Sequence, residues 1–200
     1  MPDDVIMLLC DDNWGNVCRL PNAKERKHPG GWGMYYHVDY VGAPRNSKWL
    51  NVTPIQNMWE QLQLTYDYGV EKLWILNVGD LKPMEYPITL FMDMAWNIDA
   101  IRPDNIYRHL HDFMSRTFTP QSAQELTDIM NEYYYLANIR RPEFMGWSRE
   151  EEYSKIKGGK TPVTDTEVSP EEIEQRITAY QNLEKRVKSI KKQIPKELHD

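Results

Sequence analysis

The chain has 200 residues, 40% of them hydrophobic, and a formal net charge of −6, which allows one ordinary domain or a small domain with an extension and, without a long basic run, argues against nucleic acid as a partner. Two cysteines, Cys10 and Cys18, make no disulfide framework, no apolar run approaches the ~18 residues of a membrane span, and the opening Met-Pro-Asp-Asp has no basic n-region, so no signal peptide is read. Seven Trp and twelve Tyr are many for this length; they suit a core or the apolar faces of pyranose rings, and composition by itself favours the core.

The first apolar run, Val5 to Leu9, reads as a strand buried on both faces. Residues 11 to 33, with Pro21, Asn22, Pro29, Gly30, Gly31 and Gly33, read as a long loop without helical period. Met34 to Tyr40 is the second strand. Thr53-Pro54 reads as a cap with proline at the first helical position; Ile55, Met58, Trp59, Leu62 and Tyr66 then share a helical face, and Gly69 ends it. Glu71 to Asn77 is the third strand. Strand, loop, strand, helix, strand is a parallel α/β order. The rest is helical: a short helix at Pro87 to Trp96, another at Pro103 to Phe118, and one to about Ile139 opened by a Ser122-x-x-Glu125 capping box. Residues 146–168 read as an exposed charged loop. A second capping box, Ser169-Pro170-x-Glu172, opens a long helix whose apolar line is Ile173, Ile177, Tyr180, Leu183, Val187, Ile190 and Ile194. That line is expected to pack on the two preceding helices.

The chemistry gathers at strand ends. Asp11, Asp12 and Asn13 follow the first strand. A carboxylate there serves as base, nucleophile, hydroxyl acceptor or metal ligand, or the triplet is an Asx-rich turn that caps the strand. His37 and Asp39 lie two apart and face one way, suited to share a hydrogen bond that sets the imidazole tautomer; the alternative is a satisfied core histidine. Tyr36 and Val38 face the other side, and Tyr40 ends the strand. Asn77, Asp80, Lys82 and Glu85 follow the third strand, the last two reading as a local ion pair. No metal or cofactor is expected. His109-x-His111 diverges on a helix, H-E-x-x-H and C-x-x-C are absent, and Gly30-Gly31-Trp32-Gly33 lacks the Lys-Ser/Thr of a phosphate loop. Neither cysteine has the cationic setting of a thiolate nucleophile.

Taken together, Asp11-Asp12-Asn13-Trp14-Gly15-Asn16, Arg19-Leu20-Pro21, the run from Gly30 to Gly42, Trp59-Glu60-Gln61 and the run from Trp74 to Glu85 resemble glycoside hydrolase family 115, the xylan α-glucuronidases. The resemblance covers residues 4–97 strongly and the remainder by helical character. It implies an α/β fold: the C-terminal part of a (β/α)8-type barrel, about three parallel strands in residues 1–97, followed by an α-helical bundle domain in 98–200. It implies inverting removal of 4-O-methyl-glucuronic acid from glucuronoxylan or aldouronic oligosaccharides, a secreted or periplasmic parent protein with further domains upstream, and dimerisation. By similarity Asp11 is the catalytic candidate, and Asn13, His37, Tyr40 and Asn77 line the uronic-acid pocket. The family's proposed acid and base lie mainly on earlier strands, so the segment is expected to be inactive alone. Arg19, Arg45 and Lys82 are the local candidates for the cations a uronate calls for, with plain surface charges as the equal alternative. The competing reading is a non-catalytic carbohydrate-binding or scaffold module.

Overall fold

A computed structural model describes residues 1–12, 14–39, 49–141 and 168–199. Within them the chain divides into two compact units, one up to Pro103 and one from Asp104 onward. The loop expected at 146–168 lies almost wholly outside the described residues.

The first unit holds a three-stranded parallel sheet. Its strands are β1 (Met7–Cys10), β2 (Trp32–His37) and β3 (Leu73–Asn77), side by side in chain order. The register sets Cys10 opposite Tyr35 and His37 opposite Asn77. Three strands running the same way bring their carboxyl ends to one edge of the sheet. Side chains alternate across it. Trp32, Met34 and Tyr36 point to one face and are buried, each contributing roughly 1.5–3 kcal/mol or more of transfer free energy. Leu8, Gly33, Tyr35, Leu73 and Ile75 share the other face by register, and there Leu8, Leu73 and Ile75 are exposed.

The first strand therefore departs from expectation. It starts at Met7 rather than Val5, and Leu8 is 48% exposed instead of buried on both sides. An unbroken apolar run signals two covered faces only when neighbours supply the cover; β1 pairs with β2 alone among the described residues.

Helix α1 (Ile55–Asp67) buries Ile55, Met58 and Leu62 at helical spacing. Its start differs from the sequence reading. Pro54 is itself the cap, with φ −65° and ψ 129°, and the Thr53 hydroxyl donates to the Val38 carbonyl at 3.4 Å. That bond ties the helix entry to the end of β2. Gly69 closes the helix at φ +80°, as its position after the last apolar residue implies. Helix α2 (Glu85–Trp96) begins two residues before Pro87 and buries Tyr86, Pro87, Leu90, Phe91 and Met94; proline is tolerated in a first turn because its missing N–H had no intrahelical partner there.

The second unit is helical: α3 (Ile106–Thr117), α4 (Ala123–Ile139) and α5 (Pro170–Lys191). Helix α4 packs against both α3 and α5. Ile129, Leu136, Leu183, Ile190 and Ile194 form its apolar cluster, with Tyr133, Ala179 and Tyr180 against it. The expected α5 line is corrected at three points, because Ile173, Ile177 and Val187 are exposed, Ile177 by 51%. The buried positions are Arg176, Leu183 and Ile190, seven apart. A 3-4 line of apolar residues spans more of the helix surface than one neighbour covers, and the seven-residue line is the narrower seam that α4 meets. The buried cation has a backbone purpose: Arg176 donates to the carbonyls of Leu136 at 3.3 Å and Arg140 at 3.2 Å, groups that the end of α4 leaves without helical partners. Arg186 bonds Glu125 and Glu132 at 2.8 and 2.6 Å, so α4 and α5 run antiparallel. The two capping boxes fare differently. Ser169 accepts the Glu172 N–H at 3.1 Å, whereas Ser122 makes no such cap and its hydroxyl donates to the Thr119 carbonyl at 3.1 Å. Among the described residues no helix is long and apolar enough to cross a membrane.

Candidate active site at the strand carboxyl ends

Two adjacent carboxylates after β1 divide the work that the sequence left open between chemistry and turn. Asp12 is the turn. It accepts the N–H groups of Trp14 and Asn16 at 3.0 Å each and the Asn16 side-chain amide at 2.8 Å, and its own N–H donates to the Asn16 carbonyl at 2.9 Å. Asp11 faces inward. One carboxylate oxygen meets His37 Nδ1 at 2.5 Å, and the other accepts the Gly15 N–H at 2.8 Å and the His37 N–H at 3.3 Å. The Asp11 side chain has no solvent exposure and His37 only 6%.

The loop that makes this turn is held from behind. The Gly15 carbonyl accepts the Tyr36 hydroxyl at 3.1 Å and the Asn57 amide at 3.3 Å. Val17 N–H donates to Gln61 Oε1 at 2.7 Å, so β2 and α1 both pin it. Gly15 sits at φ +83°, and an added Cβ would lie 2.6 Å from the Tyr36 hydroxyl; both the left-handed backbone and the close ring demand glycine.

His37 is the last residue of β2. The sequence paired it with Asp39; the carboxylate on its Nδ1 belongs to Asp11, 26 residues earlier. A bond to an ionised carboxylate keeps the proton on Nδ1 and gives Nε2 the lone pair, the arrangement suited to accept a proton or a hydroxyl hydrogen bond. The Tyr35 ring lies 4.5 Å from the imidazole, centroid to centroid, and the Tyr35 hydroxyl accepts the Asn77 amide at 2.8 Å, which directs its own proton to another acceptor. The structure thus brings Asp11, His37 and Asn77 together, joined by Tyr35. That tyrosine was missed, although its i, i+2 relation to His37 puts both on one face and was the available signal. Asp39 is also buried. Gly79, at φ +61°, lets the Asp39 carboxylate in: a Cβ there would stand 1.9 Å from Asp39 Oδ2.

Other expected members fall elsewhere. Asn13, Tyr40 and Arg45 lie outside the described residues. Arg19 is at the other end of the sheet, over the Trp32 ring at 5.8 Å and paired with Glu25, so it is not a uronate clamp beside His37. Lys82 is exposed after β3. Partial desolvation, and then the carboxylates of Asp12 and Asp11, push the Cys18 thiol up, away from thiolate chemistry.

Comparison with known proteins places these features in context. The model of the family described as "Glycosyl hydrolase family 115" matches residues 1–144. A solved structure described as a novel family GH115 4-O-methyl-α-glucuronidase with specificity for decorated arabinogalactans is 41% identical, with a TM-score of 0.88 over 98% of this chain and 25% of that one. The chain therefore spans about a quarter of the length of that neighbour. No curated protein matches.

Proposed function

The chain belongs to glycosyl hydrolase family 115, and from that premise we propose that it is the closing segment of an α-glucuronidase barrel, residues 1–97, with an attached helical bundle domain, 98–200, and that it supplies one side of a pocket for 4-O-methyl-glucuronic acid. The observation that carries this reading is the Asp11–His37 pair beside Tyr35 and Asn77, at the carboxyl ends of three parallel strands. Barrels of this kind build active sites at that edge. The two faces of the sheet support the same reading. Met34 and Tyr36 are fully buried on one face, while Leu8, Leu73 and Ile75 form an exposed apolar face of the type that fills a barrel interior.

Inverting hydrolysis needs two carboxyl groups about 6.5–9.5 Å apart, one to protonate the leaving oxygen and one to activate water. Asp11, the catalytic candidate, is too enclosed to touch a sugar. It acts as a positioning residue that fixes the tautomer of His37, and His37 Nε2 bonds the substrate or the attacking water. Asn77 lines the uronate pocket beside it, the family resemblance assigns Asn13 and Tyr40 to the same pocket, and the acid and base come from earlier strands of a secreted or periplasmic parent. The scaffold-module alternative gives no reason to bury a histidine–carboxylate pair at the strand ends.

The test is release of 4-O-methyl-glucuronic acid, from aldouronic oligosaccharides and from decorated arabinogalactan, by the parent protein that carries this segment. His37→Gln is expected to lower turnover by roughly 10–10², the loss of one strong hydrogen bond of about 1.5–3 kcal/mol to the substrate or the attacking water. The 200-residue chain is expected to release none, since three strands cannot close a barrel of eight. Undiminished turnover in His37→Gln, or turnover by the chain alone, overturns the proposal.

A further inference from the structure

A second feature lies at the opposite edge of the sheet, where the strands begin. A cleft of about 300 Å3 is lined by Tyr66, Glu71, Trp74, Trp96, Asn97 and Asp99, among others. Its members come from the end of α1, the approach to β3 and the end of α2. Trp96, the last residue of α2, is 91% exposed. A lone exposed apolar residue needs no explanation, but this indole stands at the rim of a cleft with two more rings. Trp74 is fixed within it. Its Nε1–H donates to the Val70 carbonyl at 2.7 Å, and its ring lies 5.7 Å from Phe91. The cleft is preformed and needs no rearrangement to accept a ligand.

Its polar groups are few and convergent. The Asn97 side-chain oxygen accepts the Asp99 N–H at 3.2 Å, which commits that oxygen to the turn and leaves the NH2 as the side chain's donor. The Glu71 and Asp99 carboxylates make no side-chain hydrogen bond or ion pair among the described residues. An aromatic platform flanked by acceptors and one amide donor matches a sugar ring, whose C–H face is apolar and whose rim is hydroxyl. The charge narrows the choice. The lining holds two carboxylates and no Lys, Arg or His, so a uronate would be repelled and a neutral sugar would not.

We infer that this cleft is a surface site for neutral backbone sugars of a polysaccharide, distinct from the uronate pocket and at the other end of the strands. The inference rests on the polysaccharide substrate proposed above. It goes further in assigning a second site whose ligand is the uncharged part of the chain. Such a site holds the polymer while side chains are removed elsewhere, and raises the local concentration of substrate through a second point of attachment.

The experiment is affinity electrophoresis of the 200-residue chain in gels containing uronate-free xylan or uronate-free arabinogalactan, against polymer-free gels. Retardation by at least one neutral polymer is expected. Trp96→Ala should weaken it about tenfold or more, as loss of a central aromatic anchor does. Trp96→Phe should restore most of it, and His37→Gln should leave it unchanged. An unaltered thermal midpoint in Trp96→Ala, expected at so exposed a position, shows that the fold is intact. Failure of any neutral polymer to retard the wild type overturns the inference, as does equal retardation of Trp96→Ala. Changed sedimentation of Trp96→Ala with unchanged polymer binding also overturns it, marking a protein contact instead. Glucuronate release is measured separately, so loss of that activity in the parent and loss of neutral-polymer binding here are distinguishable failures.

Discussion

Both units bury polar groups that serve the backbone, as Thr53 and Thr65 do in the sheet unit, but the sheet unit also buries a pair for another reason. In the helical unit each serves the backbone. Thr127 donates to the Ala123 carbonyl at 2.6 Å, Ser122 to Thr119, and Arg176 to the end of α4. Arg176 serves carbonyls that the end of α4 leaves without helical partners, while the Thr127 and Ser122 hydroxyls place their own buried donors on nearby carbonyls. In the sheet unit Asp11 and His37 bind side chain to side chain across 26 residues. An apolar pair would fill that space without desolvating a carboxylate. A buried polar group that completes a helix tells of folding; one that holds an imidazole by its Nδ1 at the strand ends points to chemistry.

The largest effect expected from this contrast is in the helical seam. Leu183→Ala should destabilise by about 2–5 kcal/mol, the range for truncating a buried leucine. Ile177→Asp, on the exposed side of α5, should change stability by no more than about 0.5 kcal/mol. Denaturant unfolding of the two variants checks both, and equal losses would restore the broad line of α5 in place of the narrow one. Next comes Arg176→Met, which leaves the Leu136 and Arg140 carbonyls without their charged donor at a cost of about 1.5–3 kcal/mol. It should leave glucuronate release by the parent unchanged at temperatures below the transition.

Asp11→Ala inverts that pattern. It removes the acceptor for three N–H groups and should cost about 1–3 kcal/mol, while its distinctive signature is at His37. Nitrogen chemical shifts of the imidazole should show the Nδ1–H tautomer in the wild type and a mixture in the variant. An unchanged tautomer would mean that Asp11 has only a structural purpose. In the parent, Asp11→Asn should lower turnover and alter its pH profile with little change in substrate affinity.

Much of the architecture was legible because periodicity reports on local geometry. The three strands, the Gly69 stop and the Ser169 cap follow from residue spacing and from what glycine and serine do at helix ends. What was not legible depended on partners remote in sequence. Nothing in residues 5–9 reveals that β1 has one neighbour among the described residues, and no spacing rule links Asp11 to His37. The i, i+2 rule offered Asp39 instead, and the parallel register, which sets β1 beside β2, decided the matter. Ser122 followed the capping pattern and did not cap, since Thr119 lay within reach of its hydroxyl and Arg186 of Glu125. The site residues Asp11, His37 and Asn77 were named by their position at strand ends, and Tyr35 was passed over because it sits one residue inside the end.

The smallest expected effect separates the units by pH. Hydrogen bonding to Arg140 Nε and Nη2, at 2.8 and 3.1 Å, holds the Glu172 carboxyl below its usual value of about 4.5. A carboxyl with a lowered folded-state pKa binds its proton more weakly in the folded than in the unfolded chain. Its stabilisation is present above the unfolded value and is lost as pH falls through the folded one. Glu171 shifts the same way, through its own N–H and Ser169, so the start of α5 carries two such groups. Tyr107 is the opposite case. The hydrogen bond to Asp128 raises its phenol, so that contribution is complete below about 10 and fades as pH rises above it. Glu172→Gln should therefore lower the thermal midpoint slightly at pH 7, the gap to wild type closing as the buffer is taken from pH 5 toward pH 2. Partial exposure of both partners and screening by salt keep the effect modest, and added salt should shrink it further at pH 7. A gap that persists undiminished at pH 2 would mean that Glu172 stabilises α5 by packing rather than by charge, and the helical unit would then lack the pH-dependent clasp assigned to Arg140.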